Sequence, residues 1–143
     1  MTTTVERTYH VDAPIEDVWA LISDPLLRAD AISVVESFST EGEETIWRLR
    51  LPLPLVRGTI PVRTRDVERD PPRYVRFVGQ SKIMTVTGEH ALTPTDEGCE
   101  VRNTFVVDGR FPGVETFFEY NIDDEIDRVI ESVADRLAAS RTD

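Results

Sequence analysis

The hydrophobic pattern of this chain changes period once, and that change limits what it can fold into. Between residues 33 and 108, successive segments alternate apolar and polar residues; from Val114 to Leu137, apolar residues recur every three or four. The first pattern is that of half-buried strands and the second that of one face of a helix. The predicted strands cover 33–40, 44–51, 57–69, a segment through Val75 and Phe77, 83–93 and 99–108. The connections are short: Glu41-Gly42-Glu43, Asp70-Pro71-Pro72 and Pro94-Thr95-Asp96-Glu97-Gly98. Consecutive strands with connections this short pair as an antiparallel meander. The terminal stripe of Val114, Phe118, Ile122, Ile126, Val129, Val133 and Leu137 predicts a helix of about 26 residues, roughly 39 Å long. A helix of that length can cross a whole sheet.

The start of the chain has its own order. Residues 4–12 alternate, with Val5, Arg7, Tyr9 and Val11 on one face, and read as an edge strand. Pro14 stands where a first helical residue belongs, with Glu16 and Asp17 near the positive end of the helix dipole. Ile15, Val18, Trp19 and Ile22 form one apolar face of a short helix that Asp24-Pro25 stops. Leu26, Leu27 and Ile32 mark a second short helical piece. The whole is an α+β chain with one domain expected over residues 1–143, a size that buries enough surface to fold without disulfide or metal.

Charge and composition exclude several functions. The formal net charge of −11 opposes general binding to nucleic acid or to an anionic membrane. The run of uncharged residues never exceeds six, so no transmembrane helix or secretory segment is expected, and the chain is assigned to the cytoplasm. Cys99 is the only cysteine, which leaves no intramolecular disulfide and no CxxC metal site. Lys82 is the only lysine among 16 basic residues. Abundant acid with so little lysine points by analogy to a salt-adapted, halophilic protein, and a GC-rich genome would give the same bias. Charge is also uneven: residues 48–76 carry eight arginines against Asp66, Glu68 and Asp70. This stretch reads either as a docking face for an acidic protein partner or as a solvated sheet face with cross-strand ion pairs.

The order of elements resembles the helix-grip fold of the START-like, or SRPBCC, superfamily. The resemblance rests on His10-Val11-Asp12-Ala13-Pro14-Ile15-Glu16-Asp17-Val18-Trp19 followed by Asp24-Pro25. Gly58, Asp70-Pro71-Pro72-Arg73, Gly88, Leu92-Thr93-Pro94 and Gly98 also match by position. The first two of these look most like the superfamily branch of G-type accessory proteins of carbon monoxide dehydrogenase. That branch often carries a hydrophobic membrane tail, whereas this sequence ends Ala-Ala-Ser-Arg-Thr-Asp. The motifs are structural punctuation and specify fold, not chemistry.

The resemblance implies a hydrophobic small molecule, such as a lipid, an isoprenoid quinone or a polyketide-like compound, held between the last helix and the sheet. The inward set expected to line that space is Tyr9, Trp47, Leu49, Phe77, Met84, Val86, His90, Asn103, Phe105, Phe118 and Asn121. Most of these are core residues on any reading. The polar members His90, Asn103 and Asn121 are either ligand-orienting groups or partners of one another and of buried water. Arg7 calls for a carboxylate such as Glu125 on the last helix. No catalytic, phosphate-binding or metal-binding motif is present, and no cofactor is implied. His10 and His90 fall on opposite strand faces, so no metal site is expected from them. His90 is the candidate acid–base of an alternative reading, a polyketide cyclase or aromatase, with Tyr9 or Asn103 polarising a carbonyl. A third reading is an accessory protein of a molybdenum hydroxylase that docks through the Arg-rich sheet.

Overall fold

A computed structural model describes residues 2–30, 35–51, 58–110 and 113–141, with side chains for all of these except 28–30, 115, 118, 122, 125, 140 and 141. Strand β1 (Thr2–Val11) leads to the short helices α1 (Ile15–Ile22) and α2 (Pro25–Asp30). Strands β2 (Val35–Glu41), β3 (Glu44–Leu49), β4 (Ile60–Asp70), β5 (Tyr74–Gln80), β6 (Met84–Thr95) and β7 (Gly98–Gly109) follow, and α3 (Val114–Arg141) ends the chain. The strand order is β1-β7-β6-β5-β4-β3-β2, with every pairing antiparallel. The meander is therefore as expected, and β1 returns to the edge beside β7. The sequence segments 52–57 and 31–34, with Ile32, lie outside the described residues.

Local chemistry sets the helix boundaries. Pro14 stands just before α1 rather than inside it, and its carbonyl accepts the amides of Asp17 and Val18. Asp24 caps α2 by accepting the Leu26 amide at 2.9 Å. Helix α3 spans 28 residues, about 42 Å. It packs on β1, β7 and α1, and buries Val114, Ile126, Val129, Val133 and Leu137. Phe118 and Ile122 of the expected stripe have side chains outside the described set.

Two apolar clusters lie beneath α3. One gathers Trp47, Leu49, Val62, Phe77, Met84, Val86, Phe105, Val107 and Ile126. The other gathers Ile15, Val18, Ile22, Val75, Leu92, Cys99, Val101, Val133 and Leu137, with Tyr9 and Val11 packed against it. Alternation in β4 breaks at a bulge between Asp66 and Glu68, where the sequence pattern predicts an unbroken strand. No described helix is long and apolar enough to cross a membrane.

Candidate functional site

The β6–β7 hairpin builds the polar part of the interior. Thr95 faces Gly98 across Asp96 and Glu97, and the pairing runs without a slip to Met84 opposite Gly109. This register sets His90 directly opposite Asn103, both pointing under α3. His90 is 1% exposed and Asn103 is fully buried. The two are joined at 2.6 Å between His90 Nδ1 and Asn103 Oδ1; the amide oxygen accepts, so Nδ1 carries the proton. The imidazole stacks near-parallel to Phe77 at 6.4 Å and meets the edge of Phe105 at 6.0 Å. Trp47 continues the row, its ring 5.7 Å from that of Phe77. A crevice of about 20 Å³ between α1, α2 and α3 reaches His90, enough for about one water.

Tyr9 lies on the same side, on β1. Burial holds its hydroxyl above the usual phenol range; the nearby Asn103 side chain reduces the shift and Cys99 adds to it. The hydroxyl is close to Asn103 yet forms no hydrogen bond of ordinary geometry. Trp47 Nε1 and Asn103 Nδ2 are likewise buried without an acceptor. The other buried polar pair is satisfied, with Thr64 Oγ1 donating to the Thr45 carbonyl at 2.8 Å.

The structure thus places Tyr9, Trp47, Leu49, Phe77, Met84, Val86, His90, Asn103 and Phe105 on the concave side. Phe118 cannot be placed, because its side chain is outside the described set. Asn121 departs from expectation: it is half-buried, and its amide donates to the Phe117 carbonyl of its own helix at 2.7 Å. A polar side chain on a helix can turn back to the i−4 carbonyl, which spacing alone does not reveal. Arg7 also differs, since it sits at the rim with 37% of its side chain exposed. It pairs with Asp127 at 2.8 Å and Asp123 at 3.5 Å, while the Glu125 side chain lies outside the described residues.

Other candidates carry less chemistry. Burial raises the Cys99 thiol, with a hydrogen bond to the Thr93 backbone opposing and Glu100 adding. His10 points outward and contacts Asp12 at 3.0 Å. Glu97 lies beside them, completing an exposed group of three potential ligands drawn from β1, the turn after it and the β6–β7 loop. Sequence spacing does not reveal this group, because Glu97 is far from the other two along the chain.

The outer face of the sheet is largely paired within the chain. Arg50 meets Glu36, Arg63 meets Glu41 and Glu44, and Arg76 meets Glu68, while Arg69 meets Asp66 on the other side of the sheet, beside α1. Arg48 donates to Ser39, and Arg69 also lies over the Trp19 ring. Among the described residues, four of the eight arginines of 48–76 are thus ion-paired within the chain.

A seven-stranded antiparallel sheet that holds a long terminal helix in its concavity defines the helix-grip class. The family model described as polyketide cyclase / dehydrase and lipid transport matches residues 2–139, and the chain belongs to that family. No curated protein sequence matches. Solved structures similar over nearly the whole chain include a conserved protein from Geobacillus kaustophilus, 17% identical, with a TM-score of 0.74 and coverage of 97% of this chain and 95% of the other. The Zhui aromatase/cyclase from Streptomyces sp. R1128 is 19% identical, with a TM-score of 0.67 and 96% of each chain covered. A Thermus thermophilus protein is 18% identical, with a TM-score of 0.69, covering 98% of this chain and 99% of the other. At these identities the structural likeness speaks to fold.

Proposed function

We propose that this protein binds a hydrophobic small molecule between α3 and the concave face of the sheet, as a carrier or sensor. The His90–Asn103 pair is the mutual partnership the sequence allowed, so the observation that carries the reading is Trp47 Nε1, a donor buried without an acceptor in an apolar and aromatic lining. Ligand sites of apolar molecules have this composition: a greasy wall with a few placed polar groups. Native mass spectrometry of the protein from its own host, with organic extraction, tests it. The expected result is a stoichiometric apolar adduct. An apo mass, together with no uptake from a panel of lipids, quinones and aromatic ketones, sinks the proposal.

One observation favours a cyclase or aromatase as the second reading. The 2.6 Å contact with Asn103 fixes the His90 ring and its tautomer, as an acid–base group requires. In that case His90→Gln abolishes conversion of a poly-β-ketone while leaving its binding within about twofold; equal loss of both rejects this reading. Docking to a protein partner through the arginine face keeps only a narrower basis. Arg65 and Lys82 line an open concavity of about 620 Å³ on that face, while most neighbouring arginines are engaged internally.

A further inference from the structure

The chain has two histidines, and they face opposite sides of the sheet. His90 is 1% exposed, and its Nδ1 is taken up by Asn103. His10 stands near the end of β1 with 41% of its side chain exposed. Its Nε2 lies 3.0 Å from Asp12 Oδ1. Glu97, from the loop between β6 and β7, joins them. One ligand atom from each of His10, Asp12 and Glu97 lies within 4.8 Å of the other two.

The backbone carries these groups together from separate segments. Gly98 follows Glu97, and a Cβ there would lie 2.2 Å from the Val11 carbonyl and 2.9 Å from the Ala13 nitrogen. The hairpin tip is therefore seated on the chain to either side of Asp12, and main chain brings Glu97 to that place. In the β1–β7 register His10 is opposite Glu100, which is also exposed. Three acidic residues thus surround one imidazole. Among the described residues, no arginine or lysine pairs with Glu97 or Glu100. Carboxylates gathered in this way repel one another, and a cation between them relieves it.

Donor type and spacing select the cation. Zinc and its neighbours hold imidazole nitrogen and carboxylate oxygen at about 2.0–2.2 Å, which sets adjacent ligand atoms about 3.0–3.5 Å apart. The His10–Asp12 contact already has that spacing. Glu97 closes the rest by adjusting an exposed side chain. Calcium and magnesium prefer oxygen ligands alone, whereas imidazole suits zinc-class metals. Three protein ligands leave a fourth position for water.

We propose that His10, Asp12 and Glu97 bind one divalent ion of the zinc class where β1 meets the β6–β7 loop. The site lies on the outer face, apart from His90, and does not rest on the apolar-ligand reading. A bound ion fastens the edge strand β1, and the turn leading into α1, to the tip of the β6–β7 hairpin.

Isothermal titration of the untagged protein with Zn²⁺ tests it, alongside NMR of the histidine rings. The wild type should take up one equivalent and melt at a higher temperature with the metal present. Zinc should shift the ring signals of His10 and leave those of His90 in place, a readout that needs no variant. His10→Gln and Glu97→Gln should each weaken binding by at least about tenfold, the lower end of what losing even a supporting partner of a metal ligand costs. Both replaced side chains are exposed, so the metal-free variants should melt with the wild type. Glu131→Gln, on the exposed side of α3, should leave binding unchanged, and excess Ca²⁺ should not displace the zinc. No saturable equivalent, or zinc shifts at His90 instead of His10, overturns the proposal. Equal weakening by Glu131→Gln also overturns it, since the acidic surface then attracts the metal diffusely. Binding that survives both site variants removes the residue assignment, and displacement by Ca²⁺ removes the zinc class.

Discussion

Gly88 and Phe77 stand opposite each other across β5 and β6. A Cβ on Gly88 would lie 2.2 Å from the Phe77 ring, which is itself packed against Trp47 and Phe105. The ring has nowhere to retreat, so Gly88→Ala should cost about 1–3 kcal/mol in urea unfolding. A neutral result would mean that the ring can shift freely, and that the aromatic floor is soft. Tyr74 makes a different prediction. Its hydroxyl donates to Glu89 at 2.7 Å; burial first, then this bond and the Glu89 charge, push its ionisation up to about 12. Tyr9 is raised in the same direction, chiefly by burial. The folded chain thus keeps protons that the unfolded chain releases near pH 10. The linked stability is complete below about pH 10 and falls as pH rises toward 12. Tyr74→Phe should flatten that alkaline decline in urea midpoints measured from pH 9 to 12, and an unchanged slope would contradict the assignment. At this scale the interior was readable where residues lie on strands. Strict alternation put Tyr9, Trp47, Phe77, His90 and Asn103 on one side, and the two-residue hairpin loop kept His90 opposite Asn103. Asn121 and Arg7 were not readable in the same way. A helix side chain at the border of a stripe can turn to its own backbone, and an edge-strand arginine meets whichever helical acid lies over it.

At the scale of elements, α3 contributes through a stripe one or two residues wide. Ile126 is 1% exposed, while Glu131 on the same helix is exposed. Ile126→Ala should cost about 2–5 kcal/mol, and Glu131→Ala should change stability by under about 0.5 kcal/mol. Chemical denaturation of both variants checks this; comparable losses would mean that the helix is held by its polar face. Helix α2 depends on its start. Asp24→Ala removes the acceptor of the Leu26 amide and should cost about 1 kcal/mol. Element type and order were legible because period two and period 3.6 are distinct signals. The bulge between Asp66 and Glu68 was not, because an extra residue in one strand leaves the local alternation intact on either side of it. Gly98 was recognised as turn chemistry, but its closest constraint is tertiary. A Cβ there would lie 2.2 Å from the Val11 carbonyl, which presses the hairpin tip against the end of β1.

For the whole molecule, charge has the largest influence outside the core. The formal sum is −11, and exposed acids crowd α3: Glu119, Asp123, Asp124, Asp127, Glu131 and Asp135. These Arg–carboxylate pairs are exposed or half-exposed, where solvent screening leaves each of little net worth. They cannot offset repulsion among the surplus carboxylates. Two salt effects then separate by concentration. Screening acts first and is nearly complete once the Debye length has shrunk to about 3 Å at 1 M. It should raise the melting temperature between 0.05 and about 0.5 M KCl and then level off. An acidic surface adapted to a salt-rich cytoplasm predicts more, namely a rise that continues to 2–3 M KCl. Past the screening limit, KCl would have to act through the hydration of the carboxylates themselves. Melting curves at matched pH across that range decide between the origins of the lysine-poor composition. A plateau by about 0.5 M leaves codon usage as the account of the arginine bias. A continued rise assigns the bias to salt, and replacing Asp124 and Glu131 with Asn and Gln should then reduce the slope above 1 M, where neutralising two charges has no screening left to alter.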